Sequence, residues 1–394
     1  MFIRSAQLDQ LEKCDGVRYI KVITGVRRCG KTILLRQVKD SLRRCGVANN
    51  QIHFFNFSQL HRQQLADWQS LINLISKKLI ENKVNYLFLD ELDQLDHVPA
   101  FLQEIIKHRN VSLYITATSR SFLARLTPLQ SQLVIIPVLP LSFAEFCQHH
   151  RQPANEHTLY QYLNVGGFPF AQDVHDQLTR ENYLDGVFNT TLVNGFAKHG
   201  TLCNPFLTKQ LAIFVAGQLG LPINASRAVS GLKKIGVPAS SKTLSTYLTL
   251  LADTYLFYPC HELDLTTNRV KPTNAKYYPV DPSLRNYLTN QKGVLSQANL
   301  EALLFIELVR RGYSVYANKR FTFIADRHQQ RTYIQFSYSI RNQHEYDQAI
   351  GSLRSLPVDC QKQLIVLRVA DILSQDPAVP MSLLTDWLIE NQSV

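Results

Sequence analysis

Gly25-Val26-Arg27-Arg28-Cys29-Gly30-Lys31-Thr32 decides the fold, because this stretch fits the pattern G-x-x-x-x-G-K-[ST]. It lies between residues 18–24, a largely apolar segment typical of a strand, and residues 31–44, whose apolar side chains recur at helical spacing. The glycines allow backbone N–H groups to curl around phosphate oxygens, and the helix N-terminus adds its positive dipole end. The pattern predicts a P-loop for a nucleotide; a glycine turn before an amphipathic helix is the alternative.

The loop side chains have distinct expected tasks. We expect Lys31 to reach the β- and γ-phosphates of ATP, and Thr32 to hold Mg²⁺ through its hydroxyl. The residues expected to contact the nucleotide here are Gly25, Val26, Arg27, Arg28, Cys29, Gly30, Lys31, Thr32 and Ile33.

A second motif supplies the acids that hydrolysis of ATP needs. Residues 86–91, Tyr-Leu-Phe-Leu-Asp-Glu, indicate a buried strand that ends in two carboxylates. We expect Asp90 to order the Mg²⁺ shell together with Thr32, and Glu91 to polarise the attacking water as general base. Lys31, Asp90 and Glu91 are thus the predicted catalytic set. The alternative for Glu91 is a solvated loop carboxylate.

Two polar strand ends are candidates for sensing the nucleotide. Residues 115–119 end a predicted strand with hydroxyls, and we expect Thr118 to contact the γ-phosphate; a plain turn is the alternative. Asn56 ends another predicted strand, and its amide could bind Glu91 and hold it inactive. An ordinary strand-end asparagine is the alternative there.

The order of predicted elements indicates three domains. Apolar strands alternate with helices over residues 1–150, which predicts an α/β domain with a parallel sheet covered on both faces. Residues 151–290 are mainly helical, and their three short helices followed by two strands are typical of a winged helix. Residues 291–394 form a third domain, again α/β.

Predicted strands are 18–24, 52–57, 86–90, 113–118, 133–138, 254–259, 276–280, 313–317, 320–325, 332–338 and 364–369. Predicted helices are 31–44, 68–83, 98–108, 158–164, 181–196, 207–219, 224–235, 242–252, 299–311, 343–355 and 380–390.

Composition excludes several classes of protein. The 394 residues are 45% hydrophobic and 19% charged, which excludes disorder, and the net charge of +11 is spread along the chain rather than held in a tail. Seven cysteines without a C-x-x-C pair favour a reducing cytoplasm over a zinc or disulfide framework. The longest apolar run, residues 133–141, is too short to cross a bilayer. We therefore expect a cytoplasmic protein without a membrane partner.

Several segments together resemble a broad family of bacterial and archaeal AAA+-type ATPases. These ATPases carry a winged helix and a C-terminal domain related to PD-(D/E)-x-K nucleases, and the resemblance covers nearly the whole chain. The segments that carry it are GVRRCGKT (25–32), YLFLDEL (86–92), ITATS (115–119), LPLSFAEF (139–146), YLNVGGFPF (162–170), TLSTYLTLLADTYLFY (243–258), KYYPVDPSLRNYL (276–288) and NLEALLFIELVRRGY (299–313).

The resemblance implies a STAND-like AAA+ core with a helical lid. Its G-G-x-P motif matches residues 166–169, so Pro169 is expected to approach the nucleotide; a helix C-cap followed by a turn is the alternative. The family's L-x-G-R is replaced by residues 129–132, Leu-Gln-Ser-Gln, which lack the arginine. Arg120 and Arg125 are the remaining candidates for an arginine finger, within one chain or across an oligomer contact. Solvated helix charges are the alternative.

The third domain departs from the nuclease pattern to which it is related. The aspartate expected on one strand is Phe323, and the E-x-K position has Gln335 and Ser337. Only the helix carboxylates Glu301 and Glu307 remain, so a degenerate nuclease-like module without metal-dependent cleavage is expected. Its strand with Tyr333, Phe336 and Tyr338 is left to bind a protein partner.

The winged helix keeps open a second hypothesis. Residues 205–260 contain five basic side chains against one acid, and the predicted helix 242–252 presents Ser241, Lys242, Thr243, Ser245, Thr246 and Thr249 outward. We expect an ATP-binding and ATP-hydrolysing switch that reports its nucleotide state to an unknown protein partner. The alternative is a DNA-binding protein whose affinity the nucleotide sets.

Overall fold

The computed structural model describes residues 3–14, 19–59, 67–199, 204–370 and 372–390. The chain forms two compact units, Met1–Leu139 with Asp253–Tyr255, and Pro140–Ala252 with Leu256–Val394. The finer division into domains at residues 150 and 290 stays a prediction. None of the helices within the described ranges is long and apolar enough to cross a membrane.

Strands and helices alternate along the first unit. Its described elements are α1 (Ser5–Lys13), β1 (Ile20–Thr24), α2 (Lys31–Arg44), β2 (Ile52–Asn56), α3 (Trp68–Ser76), β3 (Asn85–Asp90), α4 (Val98–Ile106), β4 (Val111–Ala117), α5 (Arg120–Arg125) and β5 (Leu133–Pro137). Over these ranges the five strands form one parallel sheet in the order β2-β3-β4-β1-β5. The predicted α/β fold with a parallel sheet is confirmed.

The sheet is held by apolar side chains on its inner strands. Every residue of β1 and β4 is buried, as expected of central strands in a covered parallel sheet. Leu87, Leu89 and Ile115 are completely buried in one core cluster, and each such side chain contributes about 1.5–3 kcal/mol relative to exposure. Because β4 lies between β1 and β3, the carboxyl ends of these three strands are adjacent.

One predicted helix of this unit is too long. The prediction of residues 68–83 is wrong at its C-terminal end, because α3 stops at Ser76. The Asn85 side chain accepts from the backbone N–H of Ile80 and donates to the carbonyl oxygens of Ile80 and Lys83, at 2.9, 2.9 and 3.0 Å. These bonds stabilise a turn where the apolar spacing indicated a further helical turn.

The second unit begins with a helical region and a small antiparallel sheet. The elements are α6 (Phe143–His150), α7 (Glu156–Val165), α8 (Gln177–His199), α9 (Pro205–Gly217), β6 (Pro222–Ile223), α10 (Ala225–Lys234), α11 (Ser241–Asp253), β7 (Phe257–Asp264), β8 (Arg269–Pro279) and α12 (Pro282–Thr289). The last residue of α11 belongs to the first unit. The strands pair antiparallel in the order β6-β8-β7.

The rest of the second unit is built on a mixed sheet. It contains α13 (Gln297–Arg310), β9 (Ser314–Tyr316), β10 (Phe323–Arg327), β11 (Gln330–Ile340), α14 (Gln343–Arg354), β12 (Gln361–Val369), β13 (Met381–Leu383) and α15 (Leu384–Ile389). The sheet order is β13-β12-β11-β10-β9, with β9 to β11 antiparallel and β11 to β13 parallel. The predicted helix 380–390 is corrected, because its first residues pair as strand β13 with Leu364, Ile365 and Val366.

Candidate functional site

The P-loop joins the end of β1 to the start of α2. The φ angles at Gly25 and Gly30 are 148° and 108°, values that L side chains rarely adopt. A Cβ at Gly25 would lie 2.0 Å from the carbonyl oxygen of Val138, so the close approach of these two segments requires glycine there. The structure thus places the predicted loop between strand and helix, as the motif demands.

Lys31 crosses the P-loop instead of pointing into solvent. Its ammonium donates to the carbonyl oxygens of Gly25 and Val26, both at 2.8 Å, and the residue is 6% exposed. A buried ammonium needs such hydrogen bonds. The same group lies within the loop that is predicted to bind phosphates, where it supplies a positive charge.

Asp90 is the centre of a hydrogen-bonded cluster at the ends of three strands. Its Oδ2 accepts from the Thr32 hydroxyl at 2.8 Å and from the Asn56 amide at 3.4 Å, and its Oδ1 accepts from the Thr116 hydroxyl at 2.7 Å. The carboxylate is fully buried. Thr32 and Asp90, predicted together from two distant motifs, are therefore in direct contact. The contact predicted between Asn56 and Glu91 is wrong, since this amide binds Asp90.

Glu91 is paired with an arginine of the P-loop. Arg27 donates from its two terminal nitrogens to the two carboxylate oxygens of Glu91, at 3.2 and 3.0 Å. Glu91 has a φ of 55°, uncommon for a residue other than glycine, and its backbone N–H donates to Thr116 Oγ1 at 2.7 Å. Sequence reasoning missed this Arg27–Glu91 pair and proposed a solvated carboxylate as the only alternative to a base.

The hydroxyl beside the two acids belongs to Thr116, not to Thr118. Thr118 donates through its hydroxyl to Asp93 at 2.5 Å, and its backbone N–H also donates to Asp93 at 3.2 Å. Strand register was the signal that sequence reasoning did not use. Ile115 pairs with Leu89, so the next residue of β4 comes level with Asp90. A contact between Thr118 and nucleotide stays a prediction.

The two candidate finger arginines both contact the chain within the first unit. Arg125 donates to the carbonyl oxygens of Leu95 and Asp96 at 2.7 and 2.5 Å. The guanidinium of Arg120 lies 5.1 Å from the centre of the Tyr255 ring. Arg120 is nevertheless exposed to solvent and Arg125 is partly exposed. A finger role for either arginine stays a prediction.

In the second unit, the G-G-F-P segment ends a helix and contacts a buried acid. Gly166 caps α7 with a φ of 76°, and the N–H of Gly167 donates to Asp281 Oδ2 at 2.6 Å. Asp281 also caps α12, and burial raises the pKa of its carboxyl. Pro169 begins a short 3₁₀ turn, Pro169–Asp173. The segment thus forms a helix C-cap followed by a turn, which was the alternative to a nucleotide contact. A contact of Pro169 with nucleotide stays a prediction.

Phe323, which stands at the nuclease aspartate position, lies in an aromatic cluster. Its ring is 5.7 Å from that of Phe305 and 5.9 Å from that of Tyr278, centre to centre, and its side chain is fully buried. Of the three aromatic residues on β11, Phe336 is only 2% exposed, whereas Tyr333 and Tyr338 are partly exposed, and binding of a partner there stays a prediction. Tyr333 also lies on the opposite face of β11 from Phe336, since side chains alternate along a strand.

The helix carboxylates of this region are bound by cationic and hydroxyl groups. Glu301 accepts from Lys276 at 2.9 Å and from the Tyr278 hydroxyl at 2.5 Å. Glu307 accepts from Arg310 at 3.0 Å and from Arg311 at 3.2 Å. Burial raises the pKa of Glu307, and the two arginines oppose that rise.

Helix α11 has the two faces that its sequence predicts. The inward residues Leu244, Tyr247, Leu248 and Leu251 are buried. The outward residues Ser241, Lys242, Ser245, Thr246 and Thr249 are exposed, and Thr243 is partly exposed. Lys233 and Lys234 at the end of α10 and Arg269 at the start of β8 are also exposed.

Two family models match the chain. A model described as an AAA domain covers residues 17–147, and one described as a domain of unknown function (DUF8612) covers residues 156–294. An uncharacterized protein of Haemophilus influenzae is 31% identical over 403 residues, 99% of each chain. An uncharacterized protein of Methanocaldococcus jannaschii is 26% identical over 314 residues, which are 75% of this chain and 67% of that protein.

Solved structures show weaker similarity. A Walker-type ATPase of Pyrococcus abyssi aligns with a TM-score of 0.43 at 15% identity, over 73% of this chain and 96% of that one. RuvB of Thermotoga maritima aligns with a TM-score of 0.32 at 20% identity, over 63% of this chain and 84% of that one.

The full-length match fixes the family, and the AAA match falls on the unit that contains the P-loop. The chain therefore belongs to the same family as the Haemophilus influenzae protein, and its own residues 17–147 form an AAA-type P-loop domain.

Proposed function

We propose that the protein binds ATP with Mg²⁺ at residues 25–33 and hydrolyses it. The observation that carries this proposal is the 2.8 Å hydrogen bond between the Thr32 hydroxyl and Asp90. It places two hard oxygen ligands side by side at the first turn of the P-loop helix, which suits Mg²⁺. Thr32 and Asp90 would hold the ion, which would supply positive charge to the bound phosphates.

Lys31 and Glu91 supply the remaining chemistry. The Lys31 ammonium stabilises the negative charge of the terminal phosphates, since its partners Gly25 and Val26 belong to the loop itself. Glu91 accepts a proton from water as the water oxygen bonds to the γ-phosphorus. The bond from that phosphorus to the bridging oxygen breaks, its electrons remain on ADP, and inorganic phosphate is released.

Calorimetric titration with ATP and Mg²⁺ tests the binding site. Lys31→Ala should weaken binding by about 100-fold, because a charge-assisted contact to phosphate is lost. Lys39→Ala, a change in a partly exposed lysine of the same helix, is the matched control and should bind as the wild type does. If the Lys31 variant and the wild type have equal affinity for ATP, ATP does not bind at these residues.

Phosphate release tests the assignment of the base. Glu91→Gln should retain ATP binding and lose turnover by about 100-fold or more, because an amide cannot accept the proton. Equal turnover of the variant and the wild type would assign the base to another group.

We also propose that the second unit transmits the nucleotide state to a protein partner. The order α9-β6-α10-α11-β7-β8 fits a winged helix, and the helices before it are proposed as a lid. The order from α13 to β12 fits a degenerate nuclease-like module. Aromatic packing at Phe323 and the cations on Glu301 support a structural or partner-binding role instead of cleavage.

A second candidate function is nucleotide-regulated DNA binding. The exposed cations Lys233, Lys234, Lys242 and Arg269 favour it, since they belong to the helices and hairpin of the winged-helix order. Exposed hydroxyls of α11 add groups that bind phosphates and base edges. Titration of labelled duplex DNA with and without ATP separates this function from partner binding alone.

A further inference from the structure

The Arg27–Glu91 ion pair connects the phosphate-binding loop directly to the proposed general base. The arginine and glutamate side chains are 13% and 21% exposed, so water screens this pair less than an ordinary surface ion pair. Both carboxylate oxygens accept from the guanidinium. A base whose two oxygens are held in this way is poorly placed to accept a proton from water.

The guanidinium itself has unused hydrogen-bonding capacity. Its Nε is buried and has no hydrogen-bond partner among the residues that the structure describes. Arg27 also lies within the P-loop, between Gly25 and Lys31, where the phosphates are proposed to bind. A guanidinium group binds two phosphate oxygens with two parallel hydrogen bonds, as it binds the two oxygens of a carboxylate. A phosphate in the loop therefore competes with Glu91 for Arg27.

We propose that Arg27 is a switch residue that distinguishes ATP from ADP and controls Glu91. Paired with Arg27, Glu91 is withheld from water. When a γ-phosphate enters the loop, Arg27 turns to it and Glu91 becomes available as the base. ADP has no γ-phosphate, so it leaves the ion pair intact. This inference rests on the proposed function, since it requires ATP in the P-loop.

Nucleotide affinities test the switch without reference to turnover. The wild type should bind ATP more tightly than ADP, and Arg27→Ala should weaken ATP binding about tenfold while leaving ADP binding unchanged. Arg27→Lys keeps the charge without the two-pronged geometry and should give an intermediate loss. Arg36→Ala, a change in an exposed arginine of α2, is the control and should alter neither affinity.

Removing Glu91, the other partner of the ion pair, tests the same competition for Arg27 from the opposite side. Glu91→Ala should raise ATP affinity at least about threefold, because Arg27 no longer has to leave a carboxylate. The same change in an Arg27→Ala background should have no effect on ATP affinity, so the two substitutions are expected to be non-additive. Thermal unfolding of each variant establishes that it is folded before titration.

The outcomes separate the switch from the proposed function. If the wild type binds no ATP, or Lys31→Ala binds it normally, the proposed function fails. If the wild type binds and hydrolyses ATP but Arg27→Ala keeps its preference for ATP over ADP, only the switch is overturned. A loss of kcat in Arg27→Ala as large as that in Glu91→Gln, with unchanged KM, also overturns it by making Arg27 catalytic. A raised KM for ATP, with the affinity for ADP unchanged, supports it.

Discussion

The Thr116 hydroxyl connects the two acids of the candidate site. It donates to Asp90 Oδ1 at 2.7 Å and accepts from the Glu91 N–H at 2.7 Å, so one side chain fixes both a buried carboxylate and the backbone after it. Without it, the buried Asp90 Oδ1 would lack this donor and the Glu91 N–H would lack its acceptor; an unsatisfied buried group costs about 1–3 kcal/mol. Thr116 therefore positions the acids without touching the reacting atoms.

Replacing this hydroxyl tests the positioning role. We expect Thr116→Val to lower kcat for ATP hydrolysis about tenfold or more with a much smaller change in KM, because Val fills the volume but neither donates nor accepts. Phosphate-release kinetics measure this effect. Thr127→Val is a matched control, since Thr127 is exposed and its hydroxyl donates only to the Ala124 carbonyl among its described bonds. Equal loss of kcat in both variants would contradict the role of Thr116.

Motif spacing predicts which side chains meet at this site only in part. Lys31, Thr32 and Asp90 could be placed together because strand–loop–helix geometry and parallel strands determine where their backbones lie. The Arg27–Glu91 pair could not, because it depends on the φ of 55° at Glu91 and on the direction of a long side chain. Neither quantity has a signature in residue spacing.

At the scale of elements, the junction of α7 and α12 depends on glycine. A Cβ at Gly167 would lie 2.2 Å from the carbonyl oxygen of Leu141, and the Gly167 carbonyl accepts from the Leu141 N–H at 2.6 Å. The same residue donates to Asp281, the N-cap of α12. Three segments of the second unit thus meet at one position where any side chain would collide with backbone.

Gly167→Ala should therefore lower the free energy of unfolding by about 1–3 kcal/mol, the usual cost of overpacking. The matched change Gly351→Ala lies in α14, where an added Cβ has no neighbour within 4 Å. It should raise the same free energy by about 0.5–1 kcal/mol, since alanine is the better helix former. Urea unfolding of both variants measures the two effects. An unchanged free energy of unfolding in Gly167→Ala would show that Leu141 can shift at no cost.

Helices and strands were predicted correctly where apolar residues recur at regular spacing along the whole element. Helix α2 begins and ends where residues 31–44 predicted, because its apolar stripe, glycine start and basic C-terminal turn all agree. The prediction failed where long-range pairing decides. Strand β13 forms through its register with β12, and a segment of three residues carries no period of its own.

At the scale of the whole molecule, the positive charge has a functional consequence only if it is exposed and concentrated. The net charge is +11, and many of the cations are paired, as Arg27, Arg331 and Arg310 are. In contrast, Lys233, Lys234, Lys242 and Arg269 of the second unit are exposed, with no ion pair of theirs among those described. These exposed cations are the groups that a DNA backbone would contact in the second candidate function.

Salt dependence measures how many of these cations contact DNA. Each phosphate contact that is lost should reduce the slope of log K against log salt by about 0.9, because fewer counterions are released. We expect Lys242→Ala and Arg269→Ala each to reduce the slope by that amount and to weaken binding similarly for all sequences. Lys107→Ala, an exposed lysine of the first unit, should leave the slope unchanged. Fluorescence anisotropy at several salt concentrations provides the slopes, with ATP and with ADP. Wild-type slopes in both variants would exclude this surface as the DNA contact and leave a protein as the partner of the second unit.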